Sequence, residues 1–255
     1  MKNIINWKLF FVLLAACVIA AMLVIPYTVS LTSNETKITA LILLLSAAQN
    51  LILFGIVIFF GLLLAGKTGM GSPILQGLLE GKKQGKEFIN ILPISAGLGF
   101  LAGVLIIILS IPFDSAIPEF SSSSEFFVPA WMGFLASFYG GIGEEILLRL
   151  FVVTLLVWIT FIIKKDKNGN PTIFGVWLSI VLAAIIFGLG HLPTTAQLVA
   201  LTPIVILRAI ILNGIGGVIF GWLYWKKGLE SAMIAHFCAD IVLHVITPLV
   251  SSFFA

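Results

Sequence analysis

Three short stretches place ionisable side chains among oily neighbours. They are "GGIGEEILLR" at 140–149, "FGLGH" at 187–191 and "HFCAD" at 236–240. With Arg208 and His244 the inventory is Glu144, Glu145, Arg149, His191, Arg208, His236, Asp240 and His244, which takes in all three histidines of the chain. Such groups are costly inside an apolar segment and by default mark function. The types point to acid–base chemistry: carboxylates accept protons and imidazoles relay them near neutral pH.

Helical spacing sorts these groups. Glu145 and Arg149 are four apart, so they share a face, with the acid N-terminal as a helical ion pair prefers. Glu144 points about 100° away from Glu145. The pair Glu145–Arg149 therefore reads as a buried ion pair, and Glu144 as a carboxylate left free to face a cavity. A purely structural ion cluster is the rival reading, and for the pair alone it is the favoured one. Gly140, Gly141 and Gly143 let another helix approach closely, or leave room for water and substrate. Phe187 and His191 share a face, although His191 alone also fits a helix cap before Pro193. His236 and Asp240 share a face that His244 extends, and Cys238 points away as a packing residue. His244 alone reads as a structural hydrogen-bonder. Arg208 either neutralises a carboxylate such as Asp240 or snorkels from a short segment.

Glu144 and His191 lie symmetrically about the polar turn "KKDKNGNP", 164–171. If the flanking helices form an antiparallel hairpin, the two side chains sit at one level. A free carboxylate beside an imidazole in a low-dielectric site can polarise a water.

These residues need long apolar elements to hold them. The 255-residue chain is 60% hydrophobic and 10% charged, with a mean hydropathy of +1.18, far from a soluble domain. Apolar runs near 7–27, 38–64, 88–111, 128–163, 172–190, 197–225 and 229–253 each approach the ~20 residues that cross a bilayer. They are apolar all round, unlike the alternating strands of a membrane barrel. The fold class is all-α, a polytopic transmembrane bundle of about seven to eight spans. The stretch 196–225, with Pro203, Arg208 and Asn213, is the place for a re-entrant or split segment. Residues 1–127 read as N-terminal membrane helices with a cytoplasmic interfacial segment, and 128–255 as the catalytic core of one membrane domain. Nothing suggests nucleic-acid binding, a structural disulfide or a zinc-type cysteine cluster. "LAAC" at 14–17 resembles a lipoprotein box, but the apolar run continues to Tyr27, so the first span is read as retained.

Lysines cluster before the first span (Lys2, Lys8), between the second and third (Lys67, Lys82, Lys83, Lys86), after the fourth (Lys164, Lys165, Lys167) and after the sixth (Lys226, Lys227). The alternate loops carry Glu35, Lys37, Asp114, Glu119 and Glu125, with "SSSS" at 121–124 as an outer loop. The positive-inside rule then predicts a cytoplasmic N-terminus, and a prokaryotic plasma membrane is the expected location. The segment 75–90 reads either as an interfacial helix or as a solvated basic loop. One difficulty of depth arises: His236 follows Lys227 by nine residues, whereas Glu144 precedes Lys164 by twenty. Either the hairpin protrudes or tilts, or the turn at 226–228 sits within the bilayer.

"EEILLR", "FGLGH" and "HFCAD", in this order and each within an apolar segment, resemble the motifs of the CPBP or Abi family of intramembrane proteases, related to the type II CAAX prenyl endopeptidases. "GGVIFGWLYWKKGLESAMIAH" at 216–236 is similar to the usual approach to the last motif, and the resemblance covers roughly 128–245. It implies an endopeptidase in which Glu144 activates water with help from His191. His236 and Asp240 would line the site and stabilise the oxyanion, with Glu145, Arg149 and Phe187 as support. The implied substrates are membrane-embedded or lipidated peptides, and the implied processes are peptide maturation and bacteriocin self-immunity. A metal-independent mechanism is the preferred reading. The chain has no H-E-x-x-H helix, yet Glu144, His191, His236 and Asp240 are chemically adequate ligands for a divalent metal such as zinc. Two departures stand out: Leu148 and Leu150 flank the arginine where members often have Phe and Gly, and Asp240 stands where the CAAX enzymes carry Asn. An ionised Asp cannot donate to an oxyanion, so Asp240 is protonated, orients His236 or pairs with Arg208. Two rival functions are a proton- or ion-coupled transporter, which predicts broken helices in both halves, and a catalytically silent scaffold or immunity protein.

Overall fold

The computed structural model describes residues 5–31, 39–117 and 128–254. The expected outer loop at 121–124 and Glu35, Lys37, Glu119 and Glu125 lie outside these. Eight helices follow in order: α1 Trp7–Leu31, α2 Ala40–Thr68, α3 Pro73–Leu79, α4 Gly85–Ala116, α5 Ala130–Ile163, α6 Ile173–Thr195, α7 Pro203–Lys227 and α8 Leu229–Ser252. Seven of them, all but α3, are long and apolar enough to cross a membrane. The chain is an all-α polytopic bundle, and its spans fall where the apolar runs predict them.

Local sequence starts and stops these helices. Side-chain oxygens of Asn6, Thr39, Thr172 and Thr202 accept from Leu9, Ile42, Gly175 and Val205 N–H, satisfying donors that a first helical turn leaves open. Gly69 (φ +75°) stops α2 in the left-handed conformation that suits glycine. Gly228 (φ +98°) makes the tight reversal between α7 and α8.

The core sits toward the end of the bundle where the lysines lie. Leu9, Leu13 and Cys17 of α1 meet Phe54, Val57 and Ile58 of α2, and Ile146, Leu150 and Val153 of α5 join them. α6 packs mainly on α7, and α8 on α4. Glycines allow these approaches: a Cβ at Gly217 would press on Ala184, and one at Gly99 would overlap the Ala235 carbonyl.

Three expectations are corrected here. α7 is one continuous helix with Pro203 at its start, so 196–225 holds no split or re-entrant span. Proline is at ease there because its missing N–H falls among the open donors of the first turn. The segment 75–90 is not one element: α3 ends at Leu79, Gly81 (φ +80°) turns the chain, and α4 begins at Gly85. Arg208 pairs with Asp114 of α4, at 2.8 and 2.9 Å, rather than with Asp240. Both members of that pair lie near the helix ends opposite the lysine clusters.

The hairpin of α5 and α6 has the register expected from its turn. A Cβ at Gly175 would meet the Thr160 side chain, and farther along Arg149 of α5 lies against Phe187 of α6. The turn between α7 and α8 is covered by another part of the chain. Leu229 is buried, and its N–H donates to the Gly71 carbonyl at 2.9 Å. Glu230 Oε1 accepts from Ser72 Oγ at 2.6 Å and from Leu75 N–H at 2.7 Å. The connection from α2 to α3 thus covers this turn, whereas Ile163, Ile173 and Phe174 at the tip of the hairpin are exposed.

Candidate active site

The acidic motif does not form an ordinary α-helix. Tyr139–Glu144 and Ile146–Val153 of α5 adopt π-helical hydrogen bonding, and so does Ile241–Ile246 of α8, which carries His244. Such wide turns are uncommon and cluster at functional sites. Because they hold more residues per turn, the acidic segment also advances less per residue, which helps Glu144 reach the level of His236.

The expected ion pair is present and fully buried. Arg149 Nη1 lies 3.1 Å from Glu145 Oε1, with side-chain exposures of 2% and 0%. Arg149 Nη2 donates to the Gly217 carbonyl at 3.3 Å. The guanidinium carbon sits 5.2 Å from the ring centroid of Phe187 and 5.5 Å from that of Phe220, an aromatic enclosure that suits a planar cation. Phe187 thus supports the arginine from a helix remote in sequence.

Glu145 has a second partner. Its Oε1 accepts from His236 Nδ1 at 2.7 Å. An ionised Glu145 fixes the proton of that imidazole on Nδ1 and turns Nε2 the other way. Nε2 then faces Glu144 Oε2 and Asp240 Oδ1, each at 3.6 Å. Phe220 stacks on the His236 ring at 4.8 Å and 26°. The two neighbouring glutamates therefore bracket one histidine, Glu145 from the packed side and Glu144 from the open one.

Gly140 makes this approach possible. A Cβ there would overlap Asp240 Oδ2 and come within 3.2 Å of His236 Nε2. Gly141 similarly faces Phe237, and Gly133 faces the His244 backbone. Of the two readings of the glycines, close helix approach describes 140 and 141.

His191 ends the long part of α6. Its Nδ1 lies 2.8 Å from the Phe187 carbonyl, and its ring meets the Phe187 ring edge-on at 4.8 Å. Phe187 is also 5.7 Å from the His236 ring, so it separates the two histidines. Glu144, His191, His236 and Asp240 all line one cavity of about 580 Å³. The structure brings all four residues together there, although Glu144 touches His236 rather than His191. A larger hollow of about 850 Å³ near Asn6, Lys8 and Gln76 shares no lining residue with it and holds no histidine.

One participant was missed. Tyr27 Oη is 3.1 Å from His244 Nδ1, and His244 Nε2 is 4.0 Å from Asp240 Oδ1. Tyr27 looks in the sequence like the end of a span, and its partner is 217 residues away. No local signal joins them.

Among the described residues, no group of three His, Cys, Asp or Glu side chains is arranged to hold a metal ion. The Nδ1 atoms of His236 and His191 are engaged with protein oxygens, which leaves each ring its Nε2. Although Glu144 and Asp240 each lie 3.6 Å from His236 Nε2, the four candidate ligands are not arranged as a ligand set.

Fold and site together define a polytopic helical membrane protein with a carboxylate–imidazole cluster buried between α5, α6 and α8. Residues 126–242, which contain all three motifs, match the family model described as Type II CAAX prenyl endopeptidase Rce1-like, so this part of the chain is similar to that family. No curated protein and no solved structure matches the chain.

Proposed function

We propose that the protein is an intramembrane endopeptidase that cleaves peptide bonds of membrane-embedded or lipidated substrates with water activated at Glu144. The observation that carries this reading is the inequality between neighbouring acids. Glu144 keeps 23% of its side chain accessible in the cavity, whereas Glu145 has none and is committed to Arg149 and His236.

In this mechanism a water between Glu144 and His191 gives a proton to the Glu144 carboxylate as its oxygen attacks the scissile carbonyl. His236, its Nδ1 held by Glu145, presents Nε2 to the developing oxyanion and stabilises it when protonated. Asp240, 3.6 Å from that nitrogen, orients the ring. With Arg208 engaged elsewhere, this is the role best supported for an Asp in place of the expected Asn. The proton on Glu144 then passes to the leaving amine, the C–N bond breaks, and a carboxylate and an amine depart. Chemistry of this kind needs no metal. The N-terminus is assigned to the cytoplasm of a prokaryotic plasma membrane, and peptide maturation or bacteriocin self-immunity are the processes that fit.

The test is purified protein in detergent with a quenched peptide panel. Glu144→Gln is expected to lower turnover by about 100-fold or more, the usual range for a general base, and His191→Ala by a smaller factor. Wild-type turnover in Glu144→Gln would sink the reading. Chelator treatment with elemental analysis tests the metal-free mechanism, which expects full activity with no stoichiometric metal.

A further inference from the structure

We propose that this site is served from the lysine-poor side of the membrane, and that its substrate is a peptide segment presented from that side. The inference rests on the peptidase reading above and adds the direction from which the substrate comes.

Every lysine among the described residues lies at one end of the bundle. Lys8 is at the start of α1, Lys67 at the end of α2 and Lys86 at the start of α4. Lys164 and Lys165 follow α5, and Lys226 and Lys227 close α7. Lysine-rich loops mark the cytoplasmic side.

The cavity runs the other way. From Glu144 and His236 it continues along Tyr27, Ser110, Thr194, Arg208 and Thr247. Each of these lies within about two turns of the helix end opposite the lysines. His191 shows the asymmetry well. It is four residues from the end of α6 at Thr195 and eighteen from the lysine-side start at Ile173, about 6 Å against about 27 Å along a helix axis.

The lysine side is closed by packing. Phe54, Ile146, Leu150, Leu223 and Tyr224 are each at most 1% exposed and fill the bundle between Glu144 and that end. The 850 Å³ hollow on that face shares no lining residue with the catalytic cavity. A lipidated tail offered from the cytoplasm would have to part this core.

The chemistry of the outer approach suits a polypeptide. Thr28, Ser110, Thr194, Thr247 and Asn213 line it; Thr28, Ser110, Thr247 and Asn213 each donate to a carbonyl of their own helix, which leaves their oxygens as acceptors. Arg208, which has no lysine or other arginine beside it among the described lining residues, is paired with Asp114. Neutral oxygens of this kind can accept from main-chain N–H groups without demanding a charged side chain. An exported peptide, or the outer end of a membrane span, fits this description.

Sealed membrane vesicles carrying the full chain test the direction. A membrane-impermeant quenched peptide, chosen because the protein cleaves it in detergent, is added to right-side-out and to inverted vesicles. Cleavage is expected in right-side-out vesicles and at least tenfold less in inverted ones. The reverse result overturns the proposal. A second measurement needs no activity. Thr194→Cys and Lys226→Cys, each in a Cys17→Ala/Cys238→Ala chain, are treated in intact cells with an impermeant maleimide. Thr194→Cys is expected to label at once and Lys226→Cys only after permeabilisation; the opposite pattern overturns the proposal. If nothing is cleaved even in detergent, the peptidase reading fails, and the labelling still decides which side the cavity faces.

Discussion

The two ends of this bundle are built by different rules. Toward the lysines, side chains from seven helices interlock around Phe54, Ile146, Leu150 and Tyr224. Toward the other end, all of these but α2 part around a cavity edged with hydroxyls. The boundary between the two regimes falls within one residue: Glu145 belongs to the packed half and Glu144 to the hollow one. In this molecule the groups that stabilise and the groups that can react are neighbours in sequence, facing opposite environments. Hydrophobicity alone does not create the packed half, since lipid tails are as apolar as leucine. Close packing through glycines and buried polar pairs does that.

That contrast can be broken from the packed side first. Arg149→Ala leaves Glu145 buried without its counter-charge, a change that costs about 3–5 kcal/mol in comparable pairs. Thermal unfolding in detergent is expected to drop sharply or the protein to be lost on purification, while Glu144→Gln unfolds close to wild type. Equal melting of both variants would remove the distinction drawn between the two acids. Next in size is Gly140→Ala, whose methyl would intrude on Asp240 and push α5 from α8. About 1–3 kcal/mol of stability is expected to go, with most of the peptidase activity, because the boundary itself is displaced. A stable and fully active Gly140→Ala would show that the helices do not need this approach. The smallest effect belongs to Tyr224→Phe. The Tyr224 hydroxyl is 2.7 Å from Thr154 Oγ1, which also donates to the Arg149 carbonyl at 3.0 Å. Removing it is expected to cost about 1 kcal/mol and to leave turnover per folded molecule unchanged. A fall in turnover would extend the catalytic half past Arg149.

The legible part of this design is the part set by short-range spacing. Seven apolar runs gave seven spans, because crossing a bilayer demands length and little else. The Glu145–Arg149 pair followed from four-residue spacing, and the register of the hairpin from its polar turn. What escaped depends on distant helices or on unusual backbone. His236 as the shared partner of both glutamates, Arg208 with Asp114, and Tyr27 with His244 each join segments dozens to hundreds of residues apart. The turn at Gly228 is covered by the connection from α2 to α3 through hydrogen bonds at Gly71, Ser72 and Leu75, a contact across more than 150 residues that residue counts do not show.

The π-helical stretches have a consequence for how the chain tolerates change. Each wide turn carries one residue more than an α-turn would, so α5 holds a stored insertion beside its acids. Deleting a single residue such as Ile142 would let the backbone recover ordinary hydrogen bonding. Because the wide turn covers one revolution with one residue more than an α-turn, the helix faces before and after the deletion would keep their relation, and the change would fall on the wide turn itself, where Glu144 departs toward the cavity. Such a deletion would leave the bundle standing and alter the site alone.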